Sequence, residues 1–157
     1  MRLGVLTEPE GENRVAIVPN SVKKLVKKGL EVLVQSGAGN MSNYSDSEYE
    51  SAGASVVARE SVLSSELIIS IRMPQISELR SGLNLVCVAD PFRHPEIIKS
   101  CISSNVNLFS MDMIPRRLSR AQSMDVNSSQ DNLAGYKAVL LGASYVPRGI
   151  PMMTTSA

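Results

Sequence analysis

LIISIR, residues 67–72, is the stretch on which the fold turns. It is a continuous apolar run with polar neighbours, SSE before it and PQ shortly after. A strand with one wet face alternates apolar and polar residues. An unbroken run of this length instead suits a strand buried on both faces, as in a parallel sheet covered by helices. On either side the pattern is helical: ESVLSSE (60–66) precedes it and ISELRSG (76–82) follows. LNLVCVA (83–89) then reads as a strand, HPEIIKSCISSN (94–105) as a helix with Pro95 in its first turn, and VNLFSMDM (106–113) as a last strand.

The same alternation holds upstream. RLGVLT (2–7), EVLVQSG (31–37) and SVVA (55–58) read as strands. SVKKLVKKG (21–29) reads as a helix with Val22, Leu25 and Val26 on one face and Gly29 as its C-cap. SDSEYESAG (45–53) reads as a short helix capped by Ser45 or Asp46. Strand–helix alternation through six strands predicts an α/β class: a doubly wound, mainly parallel sheet of Rossmann-like or flavodoxin-like form.

After Asp112 the texture changes. IPRRLSRAQSMD (114–125) is polar and irregular. SSQDNLAGYKAVLLGASYV (128–146) places Leu133, Tyr136, Ala138, Val139, Leu140 and Ala143 at helical spacing, which predicts a long apolar helix packed against something. VPRGIPMMTTSA reads as a linker broken by Pro147, Gly149 and Pro151. The expected organisation is an α/β lobe over 1–126, a connecting helix over 127–146, and a linker over 147–157.

The totals exclude several classes. A chain of 157 residues suits one domain or one lobe, and 43% apolar residues is ordinary for a globular protein. Sixteen basic and fifteen acidic residues nearly cancel, so no strong overall field draws nucleic acid or an anionic membrane. Aromatics are 4% and Trp is absent, which argues against base-stacking surfaces. Cys87 and Cys101 have no CxxC partner and read as reduced core residues of a cytosolic protein. The N-terminus has no signal-peptide core, and no apolar run is long enough to span a bilayer. One histidine, His94, and no cysteine cluster argue against a zinc site, and no Gly-x-Ser-x-Gly elbow is present. His94 reads as a surface or capping group.

Three loops hold candidate chemistry. SGAGN (36–40) contains only part of a glycine-rich phosphate loop, so Gly37 and Gly39 read as a tight strand–helix connection. Glu8, Glu10, Glu12, Asn13 and Arg14 cluster after the first strand, where the arginine can either bind a carboxylate bidentately or pair with a neighbouring glutamate. SRAQSMDVNSSQ (119–130) follows the last strand, at the edge of the sheet where doubly wound folds bind ligands. Arg117 or Arg120 can meet a phosphate or carboxamide oxygen, Gln122 an amide or ribose, and Asp125 ribose hydroxyls. On a plainer reading, Asp125 and Ser128 only cap the helix and the arginines are a solvated face.

GVLTEPEGENRVAIVP (4–19), VLVQSGAGNMSNYSDSEYESAGA (32–54) and SMDMIPRRLSRAQSMDVNSSQDNLAGYKAV (110–139) together resemble the N-terminal part of the alpha subunit of proton-translocating NAD(P) transhydrogenases. The related alanine dehydrogenases share the first two segments and diverge in the third. The resemblance implies an NAD(H)-binding domain of two Rossmann-like lobes, with the loop matching 115–128 reaching over the nicotinamide. It implies cofactor contacts from Arg117, Gln122, Ser123, Met124, Asp125 and Ser128, with Gln122 at the hydride-transfer step. NADP(H) would belong to a partner domain. The implied partners are the remainder of the alpha subunit, a membrane subunit and an NADP-binding subunit, and a second copy of the NAD domain, with no nucleic acid. The implied location is cytoplasmic, peripheral to the inner membrane through those subunits. The glycine-rich second lobe is not in the chain, so the resemblance implies inactivity in isolation.

Two readings stand beside it: a non-enzymatic lobe that binds a partner, and a fragment of an alanine dehydrogenase. In the latter family Arg14 would hold the carboxylate. A lysine and a histidine would stand where this chain has Ser70 and Asp90, and losing both removes the acid–base groups of deamination. The transhydrogenases also tend to keep the lysine, so Ser70 departs from both patterns. Arg72, expected on the same strand face, is the candidate substitute.

Overall fold

A computed structural model describes residues 1–149. The chain falls into two compact units, Met1–Met113 and Ile114–Ala157.

The first unit contains β1 (Arg2–Val5), α1 (Pro19–Lys27), β2 (Glu31–Gln35), α2 (Asp46–Ser51), β3 (Ser55–Val57), α3 (Arg59–Leu63), β4 (Leu67–Ile69), β5 (Asn84–Cys87), α4 (Pro95–Ser103) and β6 (Asn107–Ser110). The strands form one sheet in the order β3-β2-β1-β4-β5-β6, and every pairing is parallel. The doubly wound class read from the sequence is the observed one. Chain direction reverses its progress across the sheet between β1 and β4, which makes that junction the topological switch point.

Alternation along the strands sends side chains to two cores. On one face Leu3, Val5, Val32 and Val34 pack with Val22 of α1 and Tyr49 of α2. On the other Leu6, Leu33, Ile68, Leu85 and Cys87 pack with Val62 of α3 and Cys101 of α4. Val5, Val22, Val34, Val62, Ile68 and Leu85 are completely buried. Each such side chain contributes on the order of 1.5–3 kcal/mol relative to exposure. Tyr49 is buried as well, and its hydroxyl donates to the Ile17 carbonyl at 2.8 Å, which removes the cost of an unpaired polar group.

Local signals set several boundaries. Pro19 opens α1, which ends at Lys27, and Gly29 follows with φ 83°, the left-handed turn that glycine tolerates. Ser45 caps α2 in a reciprocal capping box with Glu48. Pro95 opens α4 as expected.

Three expectations need correction. The run 67–72 is a strand only to Ile69; residues 71 and 72 form a bend. Arg72 therefore does not share a strand face with Ser70: Ser70 is buried and Arg72 is exposed. The reason is the Glu8 carboxylate, which accepts the Ile71 and Arg72 N–H groups at 2.6 and 2.9 Å and replaces a neighbouring strand there. The helix expected over 76–82 is one 3₁₀ turn, Ile76–Glu78. The chain returns there from the carboxyl to the amino edge of the sheet. An extended Leu79 and the Arg80 guanidinium, bonded to the Ser65 carbonyl at 3.2 and 3.0 Å, complete the descent instead.

The second unit contains α5 (Ser119–Gln122) and α6 (Val126–Tyr145). The long helix is present, but the expected burial is not. Leu133, Tyr136, Val139, Leu140 and Leu141 are all exposed, with Tyr136 at 67%. Leu133, Tyr136, Val139 and Leu140 fall within about 120° of arc on α6, and Leu141 lies apart from them. The linker expected over 147–157 lies largely outside the described residues.

Candidate functional site

At the switch point the carboxyl ends of β1, β2 and β4 border a crevice of about 340 Å³. Leu6 and Met73 are among its apolar lining, and its polar lining includes Glu8, Gln35, Arg59, Ser70 and Arg72. Gln35 and Arg59 are tied together: the Gln35 side-chain oxygen accepts from the Thr7 N–H at 3.1 Å and from Arg59 at 3.2 Å, while Arg59 also meets Glu78 at 2.6 Å. Ser70 is only 6% exposed, and its hydroxyl has no hydrogen-bond partner among the described residues. Such a lining, with its charges already paired, suits a neutral polar group better than a free anion.

The loop after β1 is locked onto this edge. Glu12 accepts from Arg14 Nε at 2.7 Å and Nη2 at 2.6 Å, and from Arg72 Nε at 3.0 Å. Of the two roles open to Arg14 in the sequence, the structure has the internal pair. The Arg14 hydrogen bonds, helped by the Arg72 charge, hold the Glu12 carboxyl down at about 2. Glu8 moves the other way: burial raises its pKa, and the backbone N–H bonds only partly offset it. Two carboxylates in one loop are thus pushed apart by their surroundings.

The SGAGN turn is a connection, as expected. Gly37 has φ 79°, and the Asp46 carboxylate of α2 accepts from both its N–H, at 2.9 Å, and the Ser36 hydroxyl, at 2.7 Å. An anion of the chain's own already fills this turn. Asp90 adopts φ 45° after β5, and the Asp112 carboxylate accepts its N–H at 3.1 Å and that of Ala89 at 3.2 Å. His94 is exposed, makes no side-chain cap, and lies 3.2 Å from Glu96. Cys87 and Cys101 are free and buried; burial pushes the Cys87 thiol up to about 12. Among the described residues no cluster of three metal-ligating side chains occurs.

The polar segment belongs to the second unit and is built locally. Asp125 is the N-cap of α6 and accepts from the Ser128 N–H at 3.0 Å and the Ser128 hydroxyl at 2.6 Å. Those bonds, with help from Arg116, lower the Asp125 pKa. The capping role weighed for Asp125 and Ser128 is therefore present. Ser123 donates to the Arg120 carbonyl at 3.2 Å. Arg117, Gln122 and Met124 are exposed, and the Arg117 and Gln122 side chains make no hydrogen bond or ion pair among the described residues. Sequence reasoning missed Arg116, which lies 3.6 Å from Asp125 and 3.9 Å from Asp131. Its signal was available: Asp125 and Asp131 flank the start of a helix, where a nearby cation finds two carboxylates.

The parallel sheet and its switch-point crevice define an α/β lobe of Rossmann-like form. Residues 4–134 match the model of the family described as alanine dehydrogenase/PNT, N-terminal domain, and the chain belongs to that family. It is 36% identical over 157 aligned residues to an NAD(P) transhydrogenase alpha-subunit protein of Rhodospirillum rubrum, a match covering 94% of this chain and 41% of that protein. It is 30% identical to an alanine dehydrogenase of Bacillus subtilis, covering 95% of this chain and 40% of the enzyme. The crystal structure of transhydrogenase from Sinorhizobium meliloti superposes with a TM-score of 0.90 at 40% identity, over 99% of this chain and 48% of that one. The chain thus spans less than half the length of the relatives it matches.

Proposed function

We propose that this chain is the first lobe of the NAD(H)-binding domain of a proton-translocating NAD(P) transhydrogenase, and that it supplies the nicotinamide-side contacts. The observation that carries the reading is the segment ahead of α6. Arg117 and Gln122 stand exposed with unengaged side chains, and the cap that follows holds the helix start rigid. The donor set fits a nicotinamide: a carboxamide beside a guanidinium offers both donor and acceptor to an amide. The transhydrogenase relatives in two bacteria support the same assignment.

The cofactor, when bound, supplies the hydride. The residues of this chain position and exclude. Gln122 orients the amide end of the ring, and Arg117 meets its oxygen or a phosphate. Ser123 and Met124 line the approach. Asp125 and Ser128 fix the helix start against which the others are set. Hydride transfer between two nicotinamides needs no protein nucleophile and no general acid; it needs the rings close, aligned and dry. NADP(H) would sit in a partner domain, and proton movement would belong to a membrane subunit. A homodimer of NAD domains, peripheral to the membrane through its partners, completes the proposed assembly.

The deaminating alternative has less support. Ser70 and Asp90 stand where that chemistry calls for a lysine and a histidine, and Arg14 is held by Glu12 rather than free for a substrate carboxylate.

The test is Gln122→Leu in the assembled enzyme, with the second lobe and the NADP-binding partner supplied. Hydride transfer should fall about a hundredfold while NADH affinity changes little. An unchanged rate overturns the assignment of Gln122.

A further inference from the structure

The near-zero net charge hides a local asymmetry. From residue 19 to residue 30 the sequence holds four lysines, Lys23, Lys24, Lys27 and Lys28, and no acid. All four are exposed, and none forms an ion pair among the described residues. On an α-helix the positions 23, 24, 27 and 28 fall within about 140° of arc. Val22, Leu25 and Val26 take the opposite side and pack into the core, so the lysine face is held outward. The carboxylates of the adjoining α2 keep their charge but form no ion pair with these lysines among the described residues: Glu48 accepts from its own cap at Ser45, and Asp46 from Gly37 and Ser36.

We propose that the outer face of α1 docks on an anionic lipid surface. Two observations favour lipid over an acidic protein. The face consists of lysines, compact hydrated charges suited to a diffuse layer of phosphates, with no arginine fork to grip one carboxylate. It also carries no exposed large apolar side chain, whereas protein interfaces are built around aromatic residues, Met and Arg and are poor in Lys. The proposal adds a direct membrane contact to the assembly proposed above and does not depend on hydride transfer.

The experiment is co-sedimentation of the full chain with vesicles of phosphatidylcholine alone and of phosphatidylcholine with about one-third phosphatidylserine. Binding should appear only with the anionic vesicles and should weaken steeply with salt. Each Lys→Gln change on α1 should lower partitioning roughly fivefold, and the fourfold variant K23Q/K24Q/K27Q/K28Q should abolish it. R93Q/K99Q, at and within α4, is the control that matches K23Q/K24Q in charge lost, and it should bind as the wild type does. Because the four lysines are exposed, the fourfold variant should keep its circular dichroism spectrum and melting temperature. Equal binding to both vesicle types, or equal loss in the control, overturns the proposal. So does binding to polyglutamate or nucleic acid without binding to anionic vesicles, which would assign the face to a macromolecular polyanion.

Discussion

The sheet unit and the α6 unit solve the same problem differently. In the first, apolar residues disappear into two cores and hold together segments far apart in sequence: Val5 lies between Val34 and Ile69. In the second, apolar residues also recur, yet Leu133, Tyr136, Val139 and Leu140 stay exposed, and order comes from neighbours a few residues apart. Asp125 reaches Ser128, Arg116 reaches Asp125, and Ser123 reaches Arg120. Apolar periodicity alone therefore identifies a helix but does not say that it is covered.

The sharpest way to break this contrast is a pair of truncations. Leu85→Ala, at a fully buried strand position, should cost about 2–5 kcal/mol in chemical denaturation. Leu140→Ala on α6 should change it by no more than about 0.5 kcal/mol. Comparable losses would mean that α6 is packed in solution and that the two units share a core.

A smaller effect comes from the loop locked to the carboxyl edge. Glu12 titrates at about 2 in the folded chain against an ordinary 4.5. Its depressed pKa means that it stabilises the fold above about pH 4.5, and that this contribution fades as pH falls toward about 2. Glu8 has the opposite sign: its raised pKa favours the fold once it is protonated, which offsets part of the loss. Glu12→Gln should flatten the acid limb of stability against pH, read by urea denaturation across that range. An unaltered acid limb would remove Glu12 from the account.

The smallest effect is local to the second unit. Asp125→Ala should speed hydrogen exchange at the Ser128 amide several-fold while the melting temperature of the sheet unit stays put. A fall in that melting temperature would show that the cap matters beyond its own helix.

Much of this was legible in the residues. The parallel sheet followed from LIISIR and its neighbours, the α2 cap from Ser45, and the α4 start from Pro95. What escaped was set by partners far away in sequence. Nothing within 67–72 announces that Glu8, more than sixty residues earlier, ends the strand by taking two of its N–H groups. The bidentate Glu12–Arg14 pair was one of two possibilities the residue types allowed, and only geometry chose between them. In the polar segment the residue types pointed to a cap and to exposed donors together, and both are present. Arg116 was passed over because its two carboxylate partners lie on the far side of a four-residue helix.

The strand order has a consequence for how the chain is made. β1 leaves the ribosome before the other five strands but lies inside the sheet, with β2 on one side and β4 on the other. During synthesis β2 and β3 can join it early, while its second edge stays unpaired until residues 67–69 emerge. The growing chain therefore carries an open apolar strand edge from the emergence of β1 until that of β4, the interval in which a parallel-sheet protein is most exposed to wrong pairing.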